Sequence, residues 1–144
     1  MLLREGSNFL EMIATERIPE HLPAPGDTRF EIRVQSFGFL GQGWTWIDAV
    51  SLSSFVAQLH ELEPQRQGSA EVSSMSPDQF WLKIFSTNRL GQMAVIGRLS
   101  QVSPLGHDLR CNHLLEFGFP FDPVMLPSIV KNFERVSSGV LMQG

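Results

Sequence analysis

The sequence is poor in features that would announce a location or a reaction. It has one cysteine, Cys111, so no disulfide can form within the chain. That suits a reducing compartment. The start, MLLREGSNFLEMIATERIP, reaches Arg4 and Glu5 after only Met-Leu-Leu, so the long apolar stretch of a secretory signal is missing. No run approaches the ~20 apolar residues of a membrane-spanning helix. A cytoplasmic protein with no membrane partner is the expectation. Net charge is −4, against the strongly basic balance of a nucleic-acid binder. Charged residues make up 18% and hydrophobic ones 42%, which describes a globular chain and excludes a disordered one.

The 144 residues fit one domain with one sizeable core. Residues 1–27 read as an irregular N-terminal segment, with at most a short strand at 9–13 (FLEMI) and a proline-rich loop, IPEHLPAPGD, at 18–27. Over 28–39, Phe30, Ile32 and Val34 alternate with Arg29, Glu31, Arg33 and Gln35, the pattern of a half-buried antiparallel strand. Gly41-Gln42-Gly43 is expected to break it, with WTWI at 44–47 resuming as a second strand. Ser51 reads as a helix N-cap. Leu52, Phe55, Val56, Leu59 and Leu62 follow at helical spacing until Pro64 stops the run.

Further strands are expected at 69–75, 79–87 and 92–102, the last two joined by a turn at NRLG. At 109–119, Leu109, Cys111, His113, Leu115, Phe117 and Phe119 share one face. A second helix over 124–136 carries Val124, Leu126, Ile129, Val130 and Phe133, with Pro127 in or before its first turn. Residues 137–144 should form a loose tail. Two helices that do not alternate with strands indicate α+β, with a mostly antiparallel sheet, strongly curved or two-layered, and both helices packed on it. The 79–87 strand is apolar on both faces. Phe80, Leu82 and Ile84 oppose Trp81 and Phe85, so both faces need cover from helices, curvature, a second layer or a partner chain. Phe-Gly-Phe occurs at 37–39 and 117–119, and each glycine is expected to make room in a sharply bent strand.

The motifs that could carry chemistry weaken on inspection. HDLRCNH, 107–113, holds zinc-ligand types, but alternation places Cys111 and His113 among leucines and phenylalanine. A buried cysteine and a satisfied histidine are the expected reading, with no metal and no cofactor. GFLGQGW lacks the lysine and Ser/Thr of a P-loop. No serine pair sits in a nucleophile elbow, and no spacing singles out a pair of carboxylates. WTWID, 44–48, is the stretch least explained by packing. Trp44 and Trp46 project to one side of a strand, as core or as contact anchors, and the usual burial of tryptophan favours core. Asp48 is either a solvated turn residue or a charge at the start of the helix.

The order of elements over 28–136 brings together GFLGQGWTWI, the helix LSSFVAQLHELE, the segment GSAEVSSMSPDQFWLKIFSTNRLGQMAVIGRLS, a long strand and FDPVMLPSIVKNFERV. This resembles the WapI-type immunity family of bacterial polymorphic toxin systems, which has relatives of unassigned function. At the NRLG turn the chain departs from the family pattern of Asp followed by Gly-His, having Asn88, Gly91 and Gln92. The resemblance implies a non-enzymatic protein that binds and neutralises a cognate toxin domain in the cytoplasm. Residues 1–72 carry ten acids and five bases, a net −5, which would suit a basic target. The expected partner surface is Asp48, Glu61 and Glu63, with Trp44 or Trp46 as apolar anchor. The alternative is a small-molecule-binding or scaffold protein whose curved sheet encloses a pocket lined by Trp44, Trp46 and Trp81. A homodimer is compatible with either.

Overall fold

The computed structural model describes residues 1–76 and 78–140. Strands β1 (Leu2–Glu5), β2 (Asn8–Arg17), β3 (Thr28–Ser36) and β4 (Phe39–Ile47) form one antiparallel sheet in chain order. After helix α1 (Ala49–Gln65), strands β5 (Ser69–Ser73), β6 (Phe80–Ser86), β7 (Met93–Gly106) and β8 (Leu109–Phe121) form a second. A 3-10 turn at Pro123–Met125 leads into helix α2 (Leu126–Ser137), with Pro127 in its first turn. The architecture is α+β, with two antiparallel sheets and two helices. No helix among the described residues is long and apolar enough to cross a membrane.

Period-2 alternation decides which side of each strand enters the common core. Phe30, Ile32 and Val34 on β3, and Phe80, Leu82 and Ile84 on β6, are fully buried. So are Phe55 and Leu59 on α1, with Leu62 nearly so. Phe133 of α2 joins the layers. Its ring meets Phe55 edge-on at 5.0 Å and lies 6.3 Å from Phe30. Burial of each such ring contributes roughly 1.5–3 kcal/mol. On the outer face of β6, Trp81, Lys83 and Phe85 are half-buried beside their neighbours, so the second apolar face of this strand is only partly covered.

Several expectations need correction. The N-terminal segment is not irregular up to residue 17. β1 and β2 pair there, and only 18–27 is loop. The Met1 amine donates to the Met12 carbonyl at 2.8 Å. Burial lowers its pKa from 8.0 to about 6, against the opposing pull of Glu11. Gly41-Gln42-Gly43 breaks no strand. The β3–β4 turn is Phe37-Gly38, with φ of 51° and 89°, the left-handed pair that a two-residue hairpin requires. The N-cap of α1 is Asp48, whose Oδ2 accepts from the Ser51 N–H at 3.4 Å. Pro64 lies within the last turn and Arg66, at φ 51°, closes the helix. Val124 is exposed in the turn before α2. Cys111 is only half-buried and His113 is exposed, because the outer half of the β7–β8 hairpin runs past the core. Of the expected tail, Ser137 belongs to α2 and residues 141–144 lie outside the described residues.

The two glycines of the GQG stretch have another use. They face the second sheet where it crosses β4. A Cβ on Gly43 would lie 2.5 Å from the Gln101 side chain, and one on Gly41 would lie 2.8 Å from Leu115. A Cβ at either position would push the Gln101 or Leu115 side chain back from β4. Gln101 then closes the edge of β4. Its Nε2 donates to the Trp44 carbonyl at 3.1 Å and its Oε1 accepts from the Trp44 N–H at 3.4 Å.

Candidate functional site

Trp44 and Trp46 are not core. On β4 the core-facing residues are Thr45 and Ile47, both fully buried, so alternation turns the two indoles outward. Trp44 is 43% exposed and Trp46 is half-buried. The Met75 N–H donates to the Trp46 carbonyl at 2.9 Å, bringing the segment after β5 alongside. The 18–27 loop approaches from another side. It is clamped by Ile18 N–H to the Asp27 carbonyl and Gly26 N–H to the Ile18 carbonyl, each 2.9 Å.

Together these pieces enclose an open depression of about 470 Å³, lined by Trp44, Trp46, Met75, Ile18, Asp27 and Gln79, with smaller contributions from the loop. That volume is in the range of small-ligand sites, roughly 300–1,000 Å³. Asp27 is only 8% exposed, and its Oδ1 accepts from the Ala49 N–H at 3.0 Å, at the first turn of α1. The positive end of the helix stabilises a carboxylate there. Gln79 is held by the Thr45 hydroxyl, which donates to its Oε1 at 2.9 Å. Arg29 lies over Trp44 with its guanidinium carbon 5.0 Å from the ring centroid, and is itself held by Glu31 at 3.2 Å and Thr15 at 3.0 Å. The indole therefore already engages one cation.

The remaining expected residues do not converge on this depression. Asp48 is near it in sequence, but its carboxylate caps α1. Glu61 and Glu63 sit 13 to 15 residues further along a helix of 17 residues, which at 1.5 Å per residue separates them from Asp48 by roughly 20 Å. Glu63 instead borders a shallow cleft with His60, Arg66 and Pro127, where His60 pairs with Glu134. Trp81 belongs to a third place, a hollow on the outer face of the second sheet with Ile96, Arg98 and Glu116. The expected acidic patch is thus divided between the two ends of α1.

Comparison with family models, with curated proteins and with solved structures finds no match in any of the three.

The sequence points to the tryptophans but not to Asp27, Met75 and Gln79, which come from two further segments, the 18–27 loop and the β5–β6 connection. Asp27 ends a loop and precedes a strand, a position where a charged residue normally faces water, so the sequence carries no signal of its burial. Chemically the depression offers apolar walls, two indole edges, one carboxylate and an amide. These are means for binding. Among the described residues no group of three or more His, Cys, Asp or Glu is placed to hold a metal ion.

Proposed function

We propose that the chain is a non-enzymatic immunity-type protein that binds and neutralises a cognate bacterial toxin domain in the cytoplasm, with Trp44 and Trp46 as its apolar anchors. The observation that carries this reading is the outward placement of both indoles. Core packing does not account for them, and adjacent partly exposed tryptophans in a depression are typical of binding hot spots. The resemblance over 28–136 supplies the class of partner. The net −5 of residues 1–72 favours a basic one by raising the rate of encounter. In this reading Asp48, Glu61 and Glu63 act through that field, since they do not share one contact patch.

The test is co-expression with the product of the neighbouring gene. Rescue of growth should be lost with Trp44→Ala plus Trp46→Ala in a protein that still folds, with affinity reduced by about 2 kcal/mol or more. Charge removal at Glu61 and Glu63 should slow association at low salt and matter little at high salt. A toxin-free neighbourhood with no rescue would reject the proposal.

The 470 Å³ depression also favours a second reading, a small-molecule-binding protein using the same two tryptophans. That reading expects a low-molecular-weight compound to quench their fluorescence and raise the melting temperature of the isolated chain. The toxin reading expects neither.

A further inference from the structure

Along β4 every second residue faces the second sheet, and each meets a different part of it. Thr45 bonds Gln79, which leads into β6. Gly43 lies against Gln101 of β7, and Gly41 against Leu115 of β8. β4 therefore crosses the strands of the second sheet one after another. The next residue in this row is Phe39, which extends past β8, the last strand of its sheet. Phe39 is 69% exposed and its neighbour Leu40 65%. With Gln42, Leu99, Gln101, His113, Leu114 and Leu115 they line a groove of about 390 Å³ between the start of β4 and the β7–β8 hairpin. Phe39 thus gives the first sheet an exposed apolar floor beside β8, and among the described residues no strand covers it.

The edge above that floor is open. On β8, Gly118 points its backbone away from β7. Its N–H donates to the Ser36 hydroxyl at 3.1 Å, and its carbonyl accepts from the same hydroxyl at 3.0 Å. Antiparallel ladders alternate, so the N–H and C=O groups of Glu116, Leu114, Asn112 and Arg110 point the same way. Among the described residues these four have no backbone hydrogen bond on that side. An unprotected edge of this length is a template for another strand.

We propose that the occupant is β8 of a second copy of this chain, paired antiparallel about a twofold axis at His113. The sequence of the edge is self-complementary in that register. Arg110 stands opposite Glu116 of the second copy, twice, and Asn112 opposite Leu114, twice. Opposite charges directly across a ladder favour the register, while like charges would oppose it. The pairing is isologous, so it closes as a dimer and cannot propagate. It also lays the second copy's β8 over Phe39. This inference is independent of the Trp44–Trp46 site, which lies further along β4.

Light scattering on the size-separated full chain should give twice the 16.2 kDa of one copy. Asn112→Pro removes an N–H that points away from β7, so the fold should persist by circular dichroism while the mass falls to one copy. If that variant does not fold, Phe39→Asp gives the same readout from the floor. Cys111→Ser with His113→Cys should form a covalent dimer in mild oxidant, because residue 113 faces itself across the axis. Cys111→Ser with His107→Cys, at the tip of the arm, should not. A monomeric native chain at high concentration would overturn the proposal. So would a dimer indifferent to both Asn112→Pro and Phe39→Asp, or equal cross-linking from positions 107 and 113. β8 amides that gain protection only when a foreign protein binds would assign the edge to that protein and overturn it as well.

Discussion

The tripeptide Phe-Gly-Phe occurs twice, and the two copies have opposite fates. At 37–39 it makes the β3–β4 turn and begins β4, with Phe37 and Phe39 both more than two-thirds exposed. At 117–119 it lies inside β8, with both phenylalanines buried and Gly118 covered by Ile96. The two copies are neighbours in the fold, since Ser36, beside the first, bonds both backbone groups of Gly118 in the second. Identical local sequence therefore carries no fixed structural meaning here. What decides is the partner across the ladder. β8 lies against a full strand, β7, that continues on both sides, whereas Ser36 and Phe39 already face each other across a closing hairpin.

The largest test of this contrast is to remove one ring from each copy. Phe119→Ala should lower unfolding free energy by about 3–5 kcal/mol, through lost burial and the cavity left behind. Phe39→Ala, measured in dilute solution, should change it by about 0.5 kcal/mol or less. Denaturant titration reads both. Similar losses would mean that Phe39 is covered within its own chain.

The two glycines should fail for different reasons. A Cβ on Gly118 would meet Ile96 at 2.9 Å and the Val95 carbonyl at 3.2 Å, so Gly118→Ala should cost about 1–3 kcal/mol by crowding. A Cβ on Gly38 would meet nothing within 4 Å, but the backbone there is left-handed at φ 89°. Gly38→Ala should cost about 1–2 kcal/mol by conformational strain alone. Ile96→Ala as a second change should recover part of the Gly118→Ala loss and none of the Gly38→Ala loss. Equal effects in that double-mutant cycle would show that crowding is not the cause at Gly118.

Much of the fold was legible in the sequence because alternation and helical spacing reflect burial directly. Phe30, Ile32 and Val34, Phe80, Leu82 and Ile84, and the α1 stripe occupy the core as their spacing indicates. The misreadings concern residues whose role is set by which face of a strand turns inward or by a segment distant in sequence. Gly41 and Gly43 look like turn formers until Leu115 and Gln101 are placed on top of them. Trp44 and Trp46 look like core until Thr45 and Ile47 take the inward positions. Cys111 and His113 alternate with apolar residues, but the hairpin that carries them extends beyond the core. The site was legible only in its two indoles. Asp27, Met75 and Gln79 join them through the third dimension, and no spacing along the chain records it.

The smallest predicted effect concerns the turn itself. Phe37 holds φ at 51°, a region that glycine and asparagine enter readily and that a bulky aromatic enters at a cost. Its ring is 68% exposed, so little burial offsets that cost. The Phe37 N–H donates to Asn8 Oδ1 at 2.7 Å, a bond that depends on the backbone and survives replacement of the side chain. Phe37→Asn should therefore stabilise the chain, by about 0.5–1 kcal/mol, while Phe37→Val should destabilise it, because a β-branched residue tolerates positive φ least. Thermal melting of both variants checks the sign. A loss of stability with Phe37→Asn would mean that the exposed ring makes a contact worth more than the strain, and would bring the two Phe-Gly-Phe copies closer in character than their exposures indicate.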